Sequence, residues 1–366
     1  FIYSIMKKIK LTCAHAIVKH LIAQKILIDG KKQPLFPGVF GIFGHGNVAC
    51  LGQALEENKD KLPTYRGHHE QNMALTGVAY SRAKRRKQIF IATSSVGPGS
   101  TNLLTAAAVA MSNRIPILFL PGDTYANRMP DPVLQQVEHF NNPGITANDA
   151  FKSVTRYFDR ITRPEQILQS LPQAIQLMID PADAGPACLS LCQDTQGETF
   201  DYPEEFFKER VHNIRRPKPD DFEIKKAAEK IKSCKNPIII SGGGIFYSDA
   251  MEELGNFAIK HNIPVTQTVM GYSTMKRDHS HFLGPIGGLG GKAANNFAKK
   301  TDLAIAVGTK LADFTTGSWA NFENPDFGLV SLNITRHDAN KHLAQAVVGD
   351  AKVSLIELSN ALGSWK

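Results

Sequence analysis

The sequence lacks the features that mark secreted, fibrous or membrane-spanning proteins. Its 366 residues contain five cysteines, an odd number without a C-x-x-C pair, so we expect reduced thiols and neither a disulfide framework nor a zinc site. No apolar run approaches the roughly 18 residues of a membrane span. Lysines interrupt the apolar core that a signal peptide would need near the start of the chain. We therefore expect a cytoplasmic protein whose natural start is Met6, with residues 1–5 as read-through.

Acidic residues are in the minority. The chain has 42 lysines and arginines against 34 aspartates and glutamates, which gives a formal net charge of +8. The one dense basic run, residues 82–87, closes a predicted helix, where cations are favourable against the helix dipole. No aromatic interleaving, helix-turn-helix or zinc-finger pattern accompanies it, so nucleic-acid binding is not expected. An anionic cofactor or substrate would also suit a basic protein.

Short β-rich runs alternate with longer amphipathic ones, which predicts an α/β fold of two three-layer, doubly wound domains with mainly parallel sheets. Residues 194–221 are rich in charge and proline and are interpreted as the interdomain linker. We place the first domain at residues 1–200 and the second at 201–366. The predicted strands are residues 38–43, 88–93, 115–121, 151–154, 187–191, 237–241, 264–268, 303–307 and 328–333.

Two predicted strands run directly into glycine-rich turns that open helices. In F-G-I-F-G-H-G-N, residues 40–47, His45 stands at the carboxyl end of a strand, where open α/β sheets bind ligands. By itself His45 is either a turn histidine or a catalytic one. T-S-S-V-G-P-G-S-T-N, residues 93–102, lacks the G-K-S/T ending of a phosphate loop, so phosphate binding is not expected there. The S-G-G-G turn of residues 241–244 is common to many such domains.

A third motif, R-G-H-H-E-Q-N-M-A, occupies residues 66–74. A carboxylate at a helix start normally stabilises the dipole, and Glu70 alone indicates no more than that. Neighbouring helical side chains do not face each other, so His68 and His69 make a poor chelate. The H-E-x-x-H pattern is also absent. No metal ligand is predicted in this chain.

The three motifs, taken in chain order, resemble the pyrimidine-binding domain of thiamine diphosphate enzymes of the acetolactate-synthase type. F-G-x-x-G, H-E-Q with a helix running to A-Y-S-R-A, T-S-S-V-G-P-G-S-T-N-L and I-P-I-L-F-L-P-G-D form an ordered set whose single pieces are weak. K-N-P-I-I-I-S-G-G-G, I-P-V-T-Q-T and T-D-L-A-I-A-V-G-T are similar to the family's central, Rossmann-like domain. The resemblance covers essentially the whole chain and implies thiamine diphosphate and Mg²⁺ as cofactors.

Within this resemblance, each candidate residue is assigned by the motif that contains it. Glu70 takes the place of the family's catalytic glutamate, whose carboxyl group contacts the pyrimidine nitrogen of the cofactor. Further positions match the lining of the pyrimidine pocket: Gly97, Pro98, Gly99, Asn102 and Gln135. Gln136 stays open as an alternative to Gln135, by a shift of one residue.

His45 matches a turn position where related decarboxylases have an acid–base side chain and carboligases often have glycine. An ionisable residue there suits proton transfer and water activation. The resemblance therefore implies a catalytic His45, whereas His69 is interpreted as structural.

Two further stretches, D-P-V-L-Q-Q-V-E-H-F and N-D-A-F-K-S-V-T-R-Y-F-D-R-I, resemble the family branch that hydrolyses a C–C bond of a cyclic dione in inositol catabolism. A sister carboligase of the acetolactate or tartronate-semialdehyde type, a non-catalytic nucleotide-binding module and a self-association domain remain alternatives. The expected partners are the small cyclic dione and further copies of the chain. The family resemblance implies a homodimer or homotetramer with the site between subunits, and neither nucleic acid nor membrane is expected to bind.

The sequence departs from the family in one respect. The family holds the diphosphate and Mg²⁺ on a third domain that is marked by G-D-G and a later asparagine. Gly122-Asp123 continues to threonine and Gly349-Asp350 to alanine, so the marker is missing from these residues. We therefore expect that the diphosphate- and metal-binding domain is absent, and that the chain alone binds the cofactor weakly and turns over nothing.

Overall fold

The computed structural model of the protein describes residues 7–366. Residues 1–6, and with them the expected start at Met6, lie outside the described part. The chain forms two compact units, a first that ends at Ile214 and a second, Arg215–Lys366. Each unit is built around its own parallel sheet flanked by helices, which confirms the α/β fold class. No helix in the described residues is long and apolar enough to cross a membrane.

The first unit carries six α-helices and twelve strands among its described residues. The helices are α1 (Cys13–Ala23), α2 (Gln53–Glu56), α3 (Glu70–Ala83), α4 (Pro98–Thr101), α5 (Leu104–Asn113) and α6 (Ile167–Ile179). The strands are β1 (Lys8–Thr12), β2 (Gln24–Ile28), β3 (Lys31–Pro34), β4 (Val39–Gly41), β5 (Thr64–Arg66), β6 (Ile91–Thr93), β7 (Leu118–Phe119), β8 (Gly122–Asp123), β9 (Tyr157–Ile161), β10 (Ala187–Cys192), β11 (Thr199–Pro203) and β12 (Arg210–His212).

Seven of these strands form the main sheet, in the order β5-β4-β6-β7-β10-β8, with β9 also paired to β10. Every pairing in it is parallel. Its central strands are fully buried because their side chains are apolar or small, as Ile91, Leu118 and Leu189 illustrate. The apolar face of α6, with Leu171 and Ile175, packs into the same core.

The predicted strand at residues 151–154 is wrong. Residues Ala147–Ser153 form a 3₁₀ helix instead, and the strand β9 begins only at Tyr157. The reason is a capping box: the Thr146 hydroxyl accepts from the Asn148 N–H, and the Asp149 carboxylate accepts from the Thr146 N–H over 2.7 Å. Phe151 is therefore buried on a short helix and not on a strand.

The linker predicted at residues 194–221 is also wrong over most of its length. In this segment β11 pairs antiparallel with β1, and β12 pairs parallel with β2. Tyr202 is fully buried, and its hydroxyl donates to the Pro164 carbonyl over 2.9 Å. These contacts extend the first unit to Ile214, past the boundary expected at residue 200.

The second unit contains a six-stranded sheet in the order β15-β14-β13-β16-β17-β18, with every pairing parallel. Its strands are β13 (Pro237–Ser241), β14 (Val265–Gln267), β15 (Phe282–Pro285), β16 (Leu303–Val307), β17 (Gly328–Asn333) and β18 (Gln345–Val348). Its helices are α7 (Asp221–Lys232), α8 (Gly243–Tyr247), α9 (Met251–His261), α10 (Lys292–Ala298), α11 (Asp313–Thr316), α12 (Arg336–Ala339) and α13 (Ala351–Leu362).

Alternating residues of β13 show that helices cover both faces of this sheet. Ile238 and Ile240 belong to an apolar cluster that includes Ala294 of α10. Ile239 points to the opposite face and belongs to a second cluster that includes Leu355 of α13. The unit therefore has three layers, as expected for a doubly wound domain.

Candidate functional site

Three parallel strands bring the three sequence motifs to one edge of the first sheet. Gly41, the last residue of β4, is the register partner of both Arg66 on β5 and Thr93 on β6. The three strands therefore end at the same level. Glu70, His45 and Gly97 each lie four residues beyond the end of their strand. The motifs meet because of strand order, at the edge where open α/β sheets bind ligands. The seven residues gathered there are Glu70, His45, Gly97, Pro98, Gly99, Asn102 and Gln135.

Glu70 is the first residue of α3 and is half-buried. Its Oε2 accepts a hydrogen bond from Asn102 Nδ2 over 3.0 Å. Its Oε1 lies beside Gly99, where an added Cβ would come within 3.4 Å of that oxygen. The structure thus brings together Glu70, Asn102 and Gly99, three of the residues that the sequence selected. One carboxylate oxygen of Glu70 accepts a hydrogen bond from Asn102, and the other faces the backbone of Gly99.

The G-P-G turn between β6 and α4 depends on its first glycine. Gly97 has φ +64, in the region that favours glycine, and an added Cβ would lie 2.0 Å from the Gln135 carbonyl oxygen. Pro98 is exposed and occupies the first position of α4, where its fixed φ suits a helix start. Gly97 therefore lets the loop that carries Gln135 approach the turn closely.

The structure brings Gln135, and not Gln136, to His45. The Oε1 atom of Gln135 lies 3.3 Å from Nε2 of the half-buried His45. The Gln136 amide serves its own loop instead: Nε2 donates to Asp131 Oδ1 over 3.2 Å, and Oε1 accepts from the Val133 N–H over 2.9 Å. Of the two glutamines, Gln135 is the one at the site.

The turn that carries His45 is fixed by buried amides that the sequence reading missed. Asn47 Oδ1 accepts from the Gly44 N–H over 3.0 Å, and its Nδ2 donates to Thr93 Oγ1 over 3.0 Å. Gln196 Nε2 donates to the Gly46 carbonyl over 2.7 Å. Buried hydrogen bonds of this kind hold a turn in one conformation. The only sequence signal was the asparagine that follows the G-H-G turn.

A buried ion-pair network next to α4 was also missed. Arg160 Nε donates to Asp123 Oδ2 over 2.9 Å, and its Nη2 donates to Asp149 Oδ2 over 2.6 Å. Burial opposes the ionisation of Asp149, but hydrogen bonds from Lys152, the Thr146 N–H and Arg160 outweigh it and lower the pKa of Asp149 to about 2. The Asp149 carboxylate is therefore held in the charged form by the network.

The same network reaches α4 through two neutral side chains, those of Ser190 and Asn148. Ser190 Oγ donates to Asp123 Oδ2 over 2.5 Å, and Asn148 Nδ2 lies 2.7 Å from Ser190 Oγ. Asn148 Oδ1 in turn accepts from Ser100, which is fully buried within α4. Asp123 thus fixes the position of α4, on whose ends Pro98 and Asn102 lie.

Other reactive side chains stay outside this arrangement. All five cysteines are free thiols whose pKa is raised by burial, to about 12 for Cys13 and Cys234. His68 and His69 are exposed. Within residues 7–366, no three His, Cys, Asp or Glu side chains are grouped so that they could hold a metal ion.

The glycine turn of the second unit serves the packing of two loops. A Cβ on Gly242 would lie 2.4 Å from the Gly308 carbonyl oxygen, and one on Gly244 would lie 2.5 Å from Gly308 Cα. These glycines let the loops after β13 and β16 contact each other backbone to backbone.

Comparison with protein families identifies the group to which the chain belongs. Residues 25–142 match the N-terminal TPP binding domain of thiamine pyrophosphate enzymes, and residues 224–358 match their central domain. The chain belongs to the thiamine pyrophosphate enzyme family. The seven site residues all fall within the N-terminal match. The expectation that the diphosphate- and metal-binding domain is absent is not confirmed, since the domain matched at residues 25–142 is itself described as binding this cofactor.

Curated relatives of the chain carry one common name. The 3D-(3,5/4)-trihydroxycyclohexane-1,2-dione hydrolase of Clostridium tetani is 48% identical over 357 residues, which cover 98% of this chain and 55% of the relative. That of Listeria innocua is 47% identical over 360 residues, 98% of this chain and 56% of the relative. That of Bacillus cereus is 47% identical over 357 residues, with shares of 98% and 55%. The chain spans about half the length of the curated relatives it matches.

Proposed function

We propose that the chain forms the pyrimidine-binding and central parts of a thiamine diphosphate-dependent hydrolase. The substrate would be 3D-(3,5/4)-trihydroxycyclohexane-1,2-dione, cleaved at a C–C bond to give 5-deoxy-glucuronic acid in inositol catabolism. The relatives that carry this name support the substrate. The observation on which the cofactor part depends is the half-buried Glu70 carboxylate, bound by Asn102 at the carboxyl edge of a parallel sheet.

The donors and shape of the site fit the pyrimidine end of this cofactor. An aminopyrimidine ring is flat and carries ring nitrogens that share a proton with a carboxyl group. The Glu70 carboxylate offers Oε1 beside Gly99, which has no side chain to block a ring. In addition, the Ser95 Oγ atom is buried without a hydrogen-bond partner among the described residues. This hydroxyl at the carboxyl edge of the sheet is therefore available to a bound ligand.

The residues of this chain have separate tasks in the proposed reaction. When bound, thiamine diphosphate supplies a nucleophilic carbon and stabilises carbanions, which no side chain can do. Glu70 holds a proton at the pyrimidine nitrogen, and Asn102 orients the carboxylate by its hydrogen bond. His45 is placed to move a proton to substrate carbon or from water. The bare backbone at Gly97 and Gly99 lets the ring approach.

We further propose that Mg²⁺ and the diphosphate are held by groups outside the seven site residues, of which six serve the pyrimidine end and His45 serves the substrate. The 366-residue chain alone should therefore bind the cofactor weakly. Titration calorimetry with thiamine diphosphate, with and without Mg²⁺, measures this directly. Tight binding that depends on Mg²⁺ would contradict the proposal.

The loop that carries Gln135 supports a site shared between subunits of a homodimer or homotetramer. Three of its apolar side chains are largely exposed: Phe140 to 94%, Met129 to 87% and Leu134 to 69%. Apolar side chains at this density on one loop favour burial against another protein surface. Sedimentation at several protein concentrations gives the association state, and a strict monomer for the full-length protein would contradict the proposal.

The decisive test of the activity uses the full-length protein with thiamine diphosphate, Mg²⁺ and the cyclic dione. Ring opening to the 5-deoxy sugar acid, followed by chromatography, is the expected result. Formation of acetolactate from pyruvate, or of tartronate semialdehyde from glyoxylate, without dione cleavage would instead identify a carboligase. The Glu70→Gln protein, prepared in parallel, supplies the background rate.

A further inference from the structure

The side chains of His45 and Gln135 form a pair that belongs to two distant parts of the chain. His45 Nε2 and Gln135 Oε1 are 3.3 Å apart and 90 positions apart in sequence. No other hydrogen bond to the His45 ring is formed by the described residues. The orientation of this imidazole at the site is therefore set by one amide.

The backbone around Gln135 is held in an uncommon conformation that presents this amide. Gln135 has φ +63, in the left-handed region that non-glycine residues rarely adopt. The Gln135 carbonyl oxygen lies against Gly97, at a place that any Cβ would occupy. The neighbouring Gln136 bonds Asp131 and Val133 and closes the loop on itself. Contacts on both sides thus maintain a conformation that the residue would not adopt by itself.

The chemistry of the two groups restricts what the pair can do. A neutral imidazole carries its proton on one ring nitrogen and a lone pair on the other. A carbonyl oxygen only accepts, so a nitrogen that faces it must carry the proton. With Gln135 Oε1 toward Nε2, the proton stays on Nε2 and the lone pair of His45 stays on Nδ1.

We propose that Gln135 is a positioning residue for His45, which fixes the Nε2–H tautomer and leaves Nδ1 as the nitrogen that exchanges protons at the site. This differs from the role that the family resemblance implies, in which Gln135 lines the cofactor pocket. The catalytic meaning of the tautomer rests on the proposed function, whereas the tautomer itself is a property of the chain.

Nitrogen NMR of the 366-residue chain with ¹⁵N-labelled histidine tests the tautomer directly. The His45 signals are assigned by their loss in His45→Gln. In the wild type at a pH where the ring is neutral, we expect Nε2 to be protonated and Nδ1 unprotonated. In Gln135→Leu the two nitrogen shifts should move toward those of a free, exchanging imidazole. In Gln135→Glu, which keeps an acceptor, they should keep the wild-type pattern.

Gln173→Leu is the matched control, because it removes an exposed glutamine amide of α6 whose Oε1 accepts from the Tyr157 hydroxyl. We expect its His45 signals to equal those of the wild type. A protonated Nδ1 in the wild type, unchanged signals in Gln135→Leu, or an equal change in Gln173→Leu would each overturn the inference.

Kinetics of the full-length enzyme test the catalytic part separately. We expect Gln135→Leu to lower kcat on the order of tenfold, and the double variant with His45→Gln to be no slower than His45→Gln alone. Additive losses would show that Gln135 acts independently of His45 and would overturn the catalytic part. Dione turnover by the wild-type enzyme tests the proposed function, and the NMR spectra of the chain test the tautomer. Either prediction can therefore be contradicted without the other.

Discussion

Asn102 Nδ2 donates to Glu70 Oε2 over 3.0 Å and so joins the end of α4 to the start of α3, across 32 positions of sequence. The bond connects two motifs that have little meaning separately. It also orients the carboxylate that the proposed function requires.

Replacement of Glu70 by Gln should lower kcat of the full-length enzyme by roughly 100-fold or more, because an amide cannot hold and release a proton at the cofactor nitrogen. The isosteric amide keeps the size of the side chain, so folding should be unaffected. Steady-state dione turnover is the measurement. Glu56→Gln is the control, since Glu56 forms an exposed pair with Lys59. Near-normal turnover by the Glu70 variant would remove the assignment.

Replacement of Gly97 by Ala should displace the loop that carries Gln135. The new methyl group would meet the Gln135 carbonyl oxygen at 2.0 Å, in addition to the strain of φ +64. Gly30→Ala is the matched control, because Gly30 has φ +74 but no atom within 4 Å of the added Cβ. Gly30→Ala should lose about 1–3 kcal/mol of stability to backbone strain, and Gly97→Ala should lose more, because the clash with the Gln135 carbonyl adds to the strain. Only Gly97→Ala should alter the His45 NMR signals, and equal spectra would contradict the prediction.

Replacement of Arg160 by Met should destabilise the first unit by about 3–5 kcal/mol, because it leaves the Asp123 carboxylate buried without its cation. Asp123 is only 2% exposed, so water cannot replace the guanidinium. Urea unfolding followed by circular dichroism measures the loss. Arg163→Met removes an arginine whose side chain is 75% exposed, and it should change stability by less than about 1 kcal/mol. Equal losses in the two variants would refute the role of the network.

Acidification should weaken the first unit through His20. Burial is the main cause that lowers the pKa of His20 from 6.5 to about 4, against a hydrogen bond to the Phe206 carbonyl that raises it. The unfolded chain therefore binds more protons than the folded chain between these two values. Stability is fully present above pH 6.5 and falls as the pH decreases toward 4, by about 2 kcal/mol between pH 7 and pH 5.

The histidine variants test this slope. His20→Gln should flatten the dependence of the unfolding free energy on pH between 7 and 5, whereas His68→Gln, at an exposed position, should keep the wild-type slope. Asp149 affects the unfolding free energy in a different pH range. Because its pKa is lowered from 3.8 to about 2, its contribution to stability is lost only as the pH falls below 3.8. A wild-type curve that is flat from pH 7 to pH 5 would contradict the assignment to His20.

The strands of the second unit show what could be predicted from local sequence. The predicted runs 237–241, 303–307 and 328–333 are the observed β13, β16 and β17, because continuous apolar segments bounded by turns are typical of buried parallel strands. In the second unit β15 and β18 were not predicted, and in the first unit β12 was not predicted. Arg210–His212 has two polar residues among three and becomes a strand because β2 offers it hydrogen bonds.

The site residues divide in the same way. His45 and the G-P-G turn could be selected because each follows a predicted strand, and Glu70 because it stands at a predicted helix start within the family's ordered set of motifs. The residues that hold them could not be selected. Gln196 reaches Gly46 across 150 positions, and the Arg160–Asp123 pair spans 37. Such contacts have no local pattern, since a buried amide or arginine is distinguished only by its surroundings.

The sequence by itself determined the α/β class and the family, and it selected the seven candidate residues of the proposed site. These properties depend on periodicity and on short motifs, which are local. The tertiary structure alone decided that Gly41 stands in register with both Arg66 and Thr93, so that three separate motifs begin at one level of one sheet edge. It also decided that Gln135, and not its neighbour, faces His45. Strand register and loop docking are set by contacts between distant residues, and their free energy exists only once the chain has folded.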